Sequence, residues 1–209
     1  MARAPFVSLD GLDGCGKTTQ CRLLAAWLRG QGYAVTECAD PGGTPAGDAI
    51  RDLLLHRRPG MAVTCEAFLF MASRAQLTSA VIRPALAAGR AVVADRYLLA
   101  NVVYQGHAGG LDPDQLWQIG RLATDGLEPD LTVVLDLPVE LAQARRAGPI
   151  DRMESRGPEF HARVRAGFLE EARRRPDRIR VVDATQPVEA VHERICEEVA
   201  GVLAAHPRA

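Results

Sequence analysis

The sequence has almost no lysine. Among its 25 basic residues, Lys17 is the one lysine and the other 24 are arginines. Lysine ends in a compact ammonium, whereas arginine ends in a planar fork of N–H donors. Residue 17 is the one basic position where lysine stands in place of arginine, which indicates a site there that requires the compact ammonium.

The sequence also lacks a basic excess, long apolar runs and closely paired cysteines, and each absence excludes a class of protein. The net charge is -1, whereas a nucleic-acid binder usually has a basic excess, so we expect no nucleic-acid partner. No apolar run approaches the ~20 residues that span a bilayer, and the first residues lack a signal-peptide pattern. The five cysteines are scattered, with no CxxC pair, which argues against a zinc site or a disulfide framework. We therefore expect a cytoplasmic protein with reduced thiols and no membrane partner.

Short apolar runs alternate with longer amphipathic stretches along the 209 residues. The apolar runs predict strands at residues 6–10, 33–38, 91–94, 131–135 and 179–182. The amphipathic stretches predict helices at residues 17–29, 44–56, 64–88, 113–124, 140–147, 159–175 and 188–204. This alternation indicates an α/β fold, with a doubly wound five-stranded parallel sheet flanked by helices. We predict one domain over residues 1–209, with a mobile, arginine-rich lid at about residues 145–157.

One segment carries a specific chemical signal. The first predicted strand runs into Gly11-Leu12-Asp13-Gly14-Cys15-Gly16-Lys17-Thr18, and a predicted helix follows. The segment matches the phosphate-binding pattern G-x-x-x-x-G-K-[ST] in the strand–loop–helix context that the pattern requires. Its glycines let backbone N–H groups converge on a phosphate, Lys17 can reach the β- and γ-phosphates, and Thr18 can bind Mg²⁺. We predict that ATP contacts the loop and the residue after it: Gly11, Leu12, Asp13, Gly14, Cys15, Gly16, Lys17, Thr18 and Thr19.

Two other classes of P-loop protein fit poorly. A GTPase switch would need a guanine-reading Asn-Lys-x-Asp segment, which this chain cannot contain because its one lysine lies in the loop. A motor or transport ATPase would usually bring additional domains, for which 209 residues leave no space. The sequence therefore favours a small kinase with the P-loop NTPase fold, although the loop itself does not identify the phosphate acceptor.

Four more segments follow the loop in order. They are DPGGTP at residues 40–45, FLFMASRAQ at 68–76, DRY at 95–97 with YQG at 104–106, and DATQP at 183–187. Their order and spacing, from about residue 6 to residue 190, resemble thymidylate kinases. The resemblance implies that the chain transfers a phosphoryl group from ATP to dTMP, giving ADP and dTDP for dTTP biosynthesis, with Mg²⁺ as cofactor. It also implies a homodimer formed through long helices such as the one predicted at residues 64–88.

The resemblance assigns the acceptor phosphate to arginines. Arg96 would bridge the acceptor phosphate and the transferred group, and Arg51 would contact the acceptor phosphate. Asp95 would serve Mg²⁺ beside Thr18. Two phosphates that repel each other must be held in line during transfer, and positive side chains with a metal ion meet that requirement.

The resemblance also implies a site for the acceptor nucleoside. Phe70 would stack on thymine and Arg74 would hydrogen-bond the base; their spacing of four places both on one helix face. Phe70 fits ordinary core packing equally well. Asn101 and Gln105 would read the base edge, and Tyr104 would pack under the sugar. The predicted acceptor site is completed by Asp13, near the sugar 3′-hydroxyl, Asp40 and Tyr97.

A catalytic arginine is expected in the lid. Gly14 stands in the loop where some thymidylate kinases carry an arginine, and those without it resemble this chain and supply the arginine from the lid. Arg152, in Asp151-Arg152-Met153-Glu154, is the first candidate for an arginine finger. The second-rank candidates are Arg145, Arg146 and Arg156. Thr185 and Gln186 resemble the loop that borders adenine in the family.

Three departures from the family pattern fall on the acceptor side and the lid. Ala39-Asp40 replaces a common Arg-Glu, Ala100 replaces a common serine, and the segment before Arg152 is about one residue shorter. Two alternatives therefore stay open. One is a kinase for another or a modified pyrimidine deoxynucleoside monophosphate, and the other is a catalytically silent nucleotide-binding protein.

Overall fold

The fold is organised by one parallel sheet. The computed structural model describes residues 4–56, 60–145, 152–153 and 155–205. The strands are β1 (Phe6–Gly11), β2 (Val35–Ala39), β3 (Ala91–Asp95), β4 (Leu131–Asp136) and β5 (Ile179–Asp183). They lie in the order β2-β3-β1-β4-β5, and every pair of neighbours is parallel. The predicted α/β class and the five-stranded parallel sheet are confirmed.

Helices connect and cover the strands. They are α1 (Lys17–Gly30), α2 (Pro45–His56), α3 (Val63–Leu77), α4 (Arg83–Ala87), α5 (Leu98–Asn101), α6 (Pro113–Ala123), α7 (Val139–Arg145), α8 (Pro158–Arg174) and α9 (Val188–Ala205). Two π-helical segments, Thr78–Ile82 and Val102–His107, continue α3 and α5. No described helix is long and apolar enough to cross a bilayer. The predicted lid at 145–157 lies partly outside the described residues, as do its members Arg146, Asp151 and Glu154.

The central strands are buried on both faces and consist mostly of apolar residues. All six residues of β1 are buried, and so are the first five of β4. The edge strand β2 instead alternates between more and less buried residues. Helices on both faces exclude water from a parallel sheet, so its central strands read as continuous apolar runs. That pattern is the reason why the sequence alone locates them.

The structure differs from the predicted helices in two places. The single helix predicted at residues 64–88 is divided into α3, a π-helical turn and α4, and the division precedes Pro84, which has no N–H to donate within a helix. The helix α5 and its π-helical continuation, residues 98–107, were not predicted. All residues from Leu98 to Gly106 are buried. A helix that is buried all round has no polar face, so it produces no helical periodicity in the sequence.

A close contact between α6 and α5 gives a test of the packing. Gly120 lies in α6, and a Cβ atom there would overlap the buried Leu98 side chain. We expect Gly120→Ala to lower the free energy of unfolding by about 1–3 kcal/mol, because overpacking outweighs the better helix propensity of alanine. Urea denaturation measures the change.

Gly201→Ala is the matched control. Gly201 also lies in a helix, but apart from its own helix backbone and chain neighbours no atom of the described residues stands within 4 Å of the position that a Cβ would take there. This variant should gain up to about 1 kcal/mol from helix propensity alone. Equal stabilities for the two variants would contradict the proposed contact between Gly120 and Leu98.

Candidate active site

A cavity opens at the carboxyl ends of β1, β2 and β3. Its volume is about 450 Å³. Ligands bind in this position in open parallel α/β sheets. Many predicted site residues line it: Asp13, Gly14, Gly16, Lys17, Thr18, Thr19, Asp40, Arg51, Phe70, Arg74, Asp95, Arg96, Asn101, Tyr104 and Gln105. The sequence did not single out the other lining residues as site residues, namely Ala39, Pro41, Leu55, Ala100 and Met153, and it ranked Arg145 second.

The phosphate loop has the backbone shape that its sequence pattern requires. Gly11 has a φ of +136°, and a Cβ atom on it would lie 2.6 Å from the Leu135 carbonyl oxygen. Only glycine fits there. Helix α1 begins at Lys17, and its first turn contains no acidic residue. The positive end of the helix is therefore free to attract a phosphate.

Lys17 is held ready at the loop. Its side chain is 7% exposed, and Nζ donates to the Leu12 carbonyl oxygen at 2.7 Å. Nζ also lies 3.7 Å from Asp13 Oδ1. A buried ammonium needs such partners because an unpaired charge is costly to bury. The contacts direct the ammonium group to the loop where the phosphates are predicted to bind.

Thr18 and Asp95 form an oxygen pair beside Lys17. Thr18 Oγ1 donates to Asp95 Oδ2 at 2.6 Å, and both side chains line the cavity. Mg²⁺ prefers oxygen ligands and usually takes only one or two from the protein, the rest coming from phosphates and water. No group of three His, Cys, Asp or Glu residues suited to a metal occurs in the described part of the chain. The donor set at Thr18 and Asp95 therefore fits Mg²⁺ bound together with a nucleotide.

Arg96 occupies the position between the loop and the rest of the cavity. Its φ is +71°, a left-handed conformation that is uncommon for a residue with a side chain. The guanidinium donates to the Gly11 carbonyl oxygen at 2.9 Å and to Asp13, and it lies 5.2 Å from the centre of the Tyr104 ring. The guanidinium is thus fixed from three sides against the phosphate loop.

Two carboxyl groups near Arg96 have pKa values that are shifted in opposite directions. Asp10, at 0% exposure, has no hydrogen-bond partner for either carboxyl oxygen among the described residues, and Arg96 NH1 lies 3.8 Å from Oδ1. Burial raises the pKa of Asp10 to about 7, although Arg96 and Lys17 oppose the shift. Burial would also raise the pKa of Asp13, but Arg96 and Lys17 outweigh it and hold that pKa well below its usual range.

The far side of the cavity contains a row of hydrogen-bonded polar side chains. Arg74 is 1% exposed; its Nε donates to Asp40 Oδ2 at 2.6 Å, and its NH1 donates to Asn101 Oδ1 at 3.1 Å. Asn101 Nδ2 in turn donates to Gln105 Oε1 at 2.9 Å. Helix α3 supplies Arg74, and the residues from 98 to 107 supply both amides. The row joins two helices at the side of the cavity where the sequence predicts the acceptor base.

Some predicted residues lie elsewhere. Tyr97 is 1% exposed, its hydroxyl lies 2.9 Å from Thr78 Oγ1, and it is not among the described residues that line the cavity. Thr185 and Gln186 are exposed after β5, where both side chains bond to the Asp183 carboxylate. Arg145 connects this loop to the cavity, which it lines, because it donates to the Ala184 carbonyl oxygen at 2.8 Å.

The first candidate for the arginine finger binds a carboxylate in this structure. Arg152 NH1 donates to Glu66, and its Nε donates to the Leu54 carbonyl oxygen at 2.8 Å. Arg156 NH2 donates to both oxygens of Glu66, at 2.8 and 2.9 Å. The catalytic role of Arg152 stays a prediction. Glu66 is not among the site residues predicted from the sequence; its signal there is an acidic residue within the apolar stretch of α3.

The two carboxyl groups near Arg96 predict different dependences of stability on pH. Because the folded-state pKa of Asp10 is raised, the folded protein binds more protons than the unfolded chain between pH ~4 and ~7, and stability falls as pH rises through that window. Asparagine stays neutral. We expect the unfolding free energy of Asp10→Asn, relative to the parent, to be higher at pH 8 than at pH 5, as measured by urea denaturation.

Asp13→Asn is the control for this measurement. The pKa of Asp13 is lowered, so its stabilisation is fully present above the unfolded-state pKa and is lost only as pH falls below it. Its difference from the parent should be unfavourable and the same at pH 5 and pH 8. If Asp10→Asn behaved in the same pH-independent way, the charge assignment at Asp10 would be wrong.

Comparison with known proteins places the chain in a family. The model of the family described as thymidylate kinase matches residues 9–195. A thymidylate kinase from Rhodopirellula baltica is 47% identical over 190 residues, covering 91% of this chain and 78% of that protein. One from Symbiobacterium thermophilum is 47% identical over 199 residues, covering 93% of each. The crystal structure of thymidylate kinase from Ehrlichia chaffeensis superposes with a TM-score of 0.77 at 29% identity, covering 94% of this chain and 99% of that one. The chain belongs to the thymidylate kinase family.

Proposed function

We propose that this chain transfers the γ-phosphoryl group of Mg²⁺-ATP to dTMP, giving ADP and dTDP in the route to dTTP. One observation carries the proposal. A single cavity has the phosphate loop with Lys17 on one side, the polar row of Arg74 and the two amides on the other, and Arg96 between them. The arrangement suits two nucleotides whose phosphates meet at Arg96.

The acceptor's own charge explains why no general base is needed. A nucleoside monophosphate has a second pKa near 6, so most of it is already a dianion at neutral pH. The protein must instead hold two anions in line and neutralise developing charge. Lys17 and the loop N–H groups hold the donor, while Arg51 and Arg96 hold the acceptor phosphate. Mg²⁺ bound at Thr18 and Asp95 would supply further positive charge at the donor phosphates.

The base side of the cavity suits a pyrimidine. Phe70 presents an aromatic ring, and Arg74 is a donor that is fixed by Asp40 and therefore fits the carbonyl oxygen of thymine. The amides of Asn101 and Gln105 line the same wall. Tyr104 packs beneath the sugar, where its hydroxyl donates to Asp13 at 3.2 Å. Tyr104 and Asp13 together would favour a 2′-deoxyribose whose 3′-hydroxyl meets Asp13.

Assembly and location are part of the proposal. We propose a homodimer in which α3 contributes to the interface, supported by Phe68 of that helix, which is 54% exposed beside a groove shared with α6. We propose a cytoplasmic location, supported by five cysteines that are all free thiols. Light scattering during size-exclusion chromatography would measure the assembly.

A panel of nucleoside monophosphates tests the reaction. With ATP fixed, ADP release should be fastest with dTMP and slower with dUMP, dCMP, AMP and GMP. Lys17→Ala should lower turnover by about 100-fold or more, because it removes a fixed charge at the transferred group. Preference for another base would overturn the assignment of the acceptor. Absence of turnover in a parent protein that still binds ATP would overturn the assignment as a kinase.

The metal site has a separate test. Thr18→Val keeps the side-chain shape but removes the hydroxyl, whereas Thr18→Ser keeps the hydroxyl. We expect Thr18→Val to raise the Mg²⁺ concentration for half-maximal rate by about tenfold or more, and Thr18→Ser to stay close to the parent. Equal Mg²⁺ requirements in the two variants would remove Thr18 from the metal site.

A further inference from the structure

Glu66 is a fully buried carboxylate beside the acceptor end of the cavity. It lies in α3, one helical turn before Phe70, and its exposure is 0%. It accepts hydrogen bonds from Arg152, Arg156 and the side-chain amide of Gln105. A carboxylate out of contact with water requires such donors, and two guanidiniums are more than are needed to neutralise one negative charge.

The two arginines are themselves fixed by other contacts. The backbone N–H and Nε of Arg152 donate to the carbonyl oxygens of Leu55 and Leu54, at 3.3 and 2.8 Å. The guanidinium of Arg156 lies over the Phe160 ring, 4.5 Å from its centre. Glu66 therefore joins the end of α2 and the residues before α8 to helix α3.

All three elements border the acceptor pocket. Leu55 at the end of α2 and Met153 next to Arg152 both line the cavity, and Met153 is only 5% exposed. Gln105 lines it too, and its Nε2 donates to Glu66 Oε2 at 3.3 Å. A carboxylate only accepts and a guanidinium only donates. Arg74 at one end therefore requires the side-chain oxygen of Asn101 to face it, and Glu66 at the other end requires the side-chain nitrogen of Gln105 to face it. Both requirements are met by one orientation of the two amides.

We infer that Glu66 is a positioning residue for the acceptor nucleotide, a role that rests on the proposed function. It fastens Arg152 and Arg156, and with them Met153 in the wall of the acceptor pocket, and it orients the amide of Gln105, which lines the same pocket. In this role Arg152 serves acceptor binding. An arginine finger would instead act on the transferred phosphoryl group, and the two roles have different kinetic consequences.

A purely structural carboxylate is the alternative, and the chain offers a matched control. Glu171 in α8 is also at 0% exposure and also accepts three different donors, from His107, Trp117 and Arg174. Its partner His107 ends the same π-helical segment that carries Gln105. Glu171→Gln therefore reports the loss of a buried carboxylate, including any loosening of that segment, without removing a contact to Arg152 or Arg156.

The experiment compares Glu66→Gln with Glu171→Gln, each corrected for its folded fraction. We expect Glu66→Gln to raise the KM for dTMP and the Kd for dTMP without ATP by about tenfold, with the KM for ATP within about twofold of the parent. Glu171→Gln should leave all three constants within about twofold. Equal effects of the two substitutions on dTMP binding would overturn the inference.

Arg152→Ala and Arg156→Ala test the same inference through the partners of Glu66. Both arginines are partly exposed, so their removal disturbs the folded protein less than a change at the buried Glu66. Both should raise the KM for dTMP and leave kcat within about threefold, because they weaken acceptor binding rather than the transition state. A large fall in kcat for Arg152→Ala at unchanged KM would instead identify the arginine finger and contradict the role assigned to Glu66.

The binding measurement separates this inference from the proposed function. If the parent bound dTMP but released no ADP, the proposed function would fail, while the comparison of dTMP Kd values would still decide the role of Glu66. If the parent turned over dTMP and Glu66→Gln bound it as tightly as Glu171→Gln, the inference alone would fail.

Discussion

The structure depends on holding positive charges in place before any phosphate arrives. Three cations of the cavity are each held by an acceptor: Lys17 by the Leu12 carbonyl oxygen, Arg96 by Asp13, and Arg74 by Asp40. A charge that is already oriented needs no reorganisation when the phosphoryl group moves, which is the main electrostatic advantage of an enzyme site over water. Carboxylates near a phosphate site are therefore useful here, although they would repel the ligand on their own.

The backbone supplies the second half of this arrangement. β1 and β3 are neighbours in the sheet, and the register that pairs Leu9 with Asp95 brings the phosphate loop and Arg96 to the same edge. The positive φ of Arg96 then turns the side chain toward Gly11. Strain of this kind persists only where the surrounding structure determines it, and here a buried sheet on one side and Asp13 on the other do so.

Features with a local cause could be predicted from the sequence. The phosphate loop is specified by three glycines and one lysine at fixed spacing, and the central strands by short, mostly apolar runs. Helix α5 and its π-helical continuation could not be predicted, because burial on every side removes the periodicity on which a helix prediction depends. The burial of Tyr97, away from the cavity that Arg96 lines, also depends on how the chain turns after β3 and not on residue type.

The arginines show why residue type alone does not assign a role. In a chain with 24 arginines, a guanidinium near the site acts according to the acceptor that it meets. Glu66 binds both Arg152 and Arg156. In the sequence it cannot be told from an ordinary helix glutamate. Arg145 instead donates to carbonyl oxygens beside the cavity that it lines. One carboxylate offsets one of the two positive charges of Arg152 and Arg156, whereas carbonyl oxygens carry no formal charge that could offset that of Arg145.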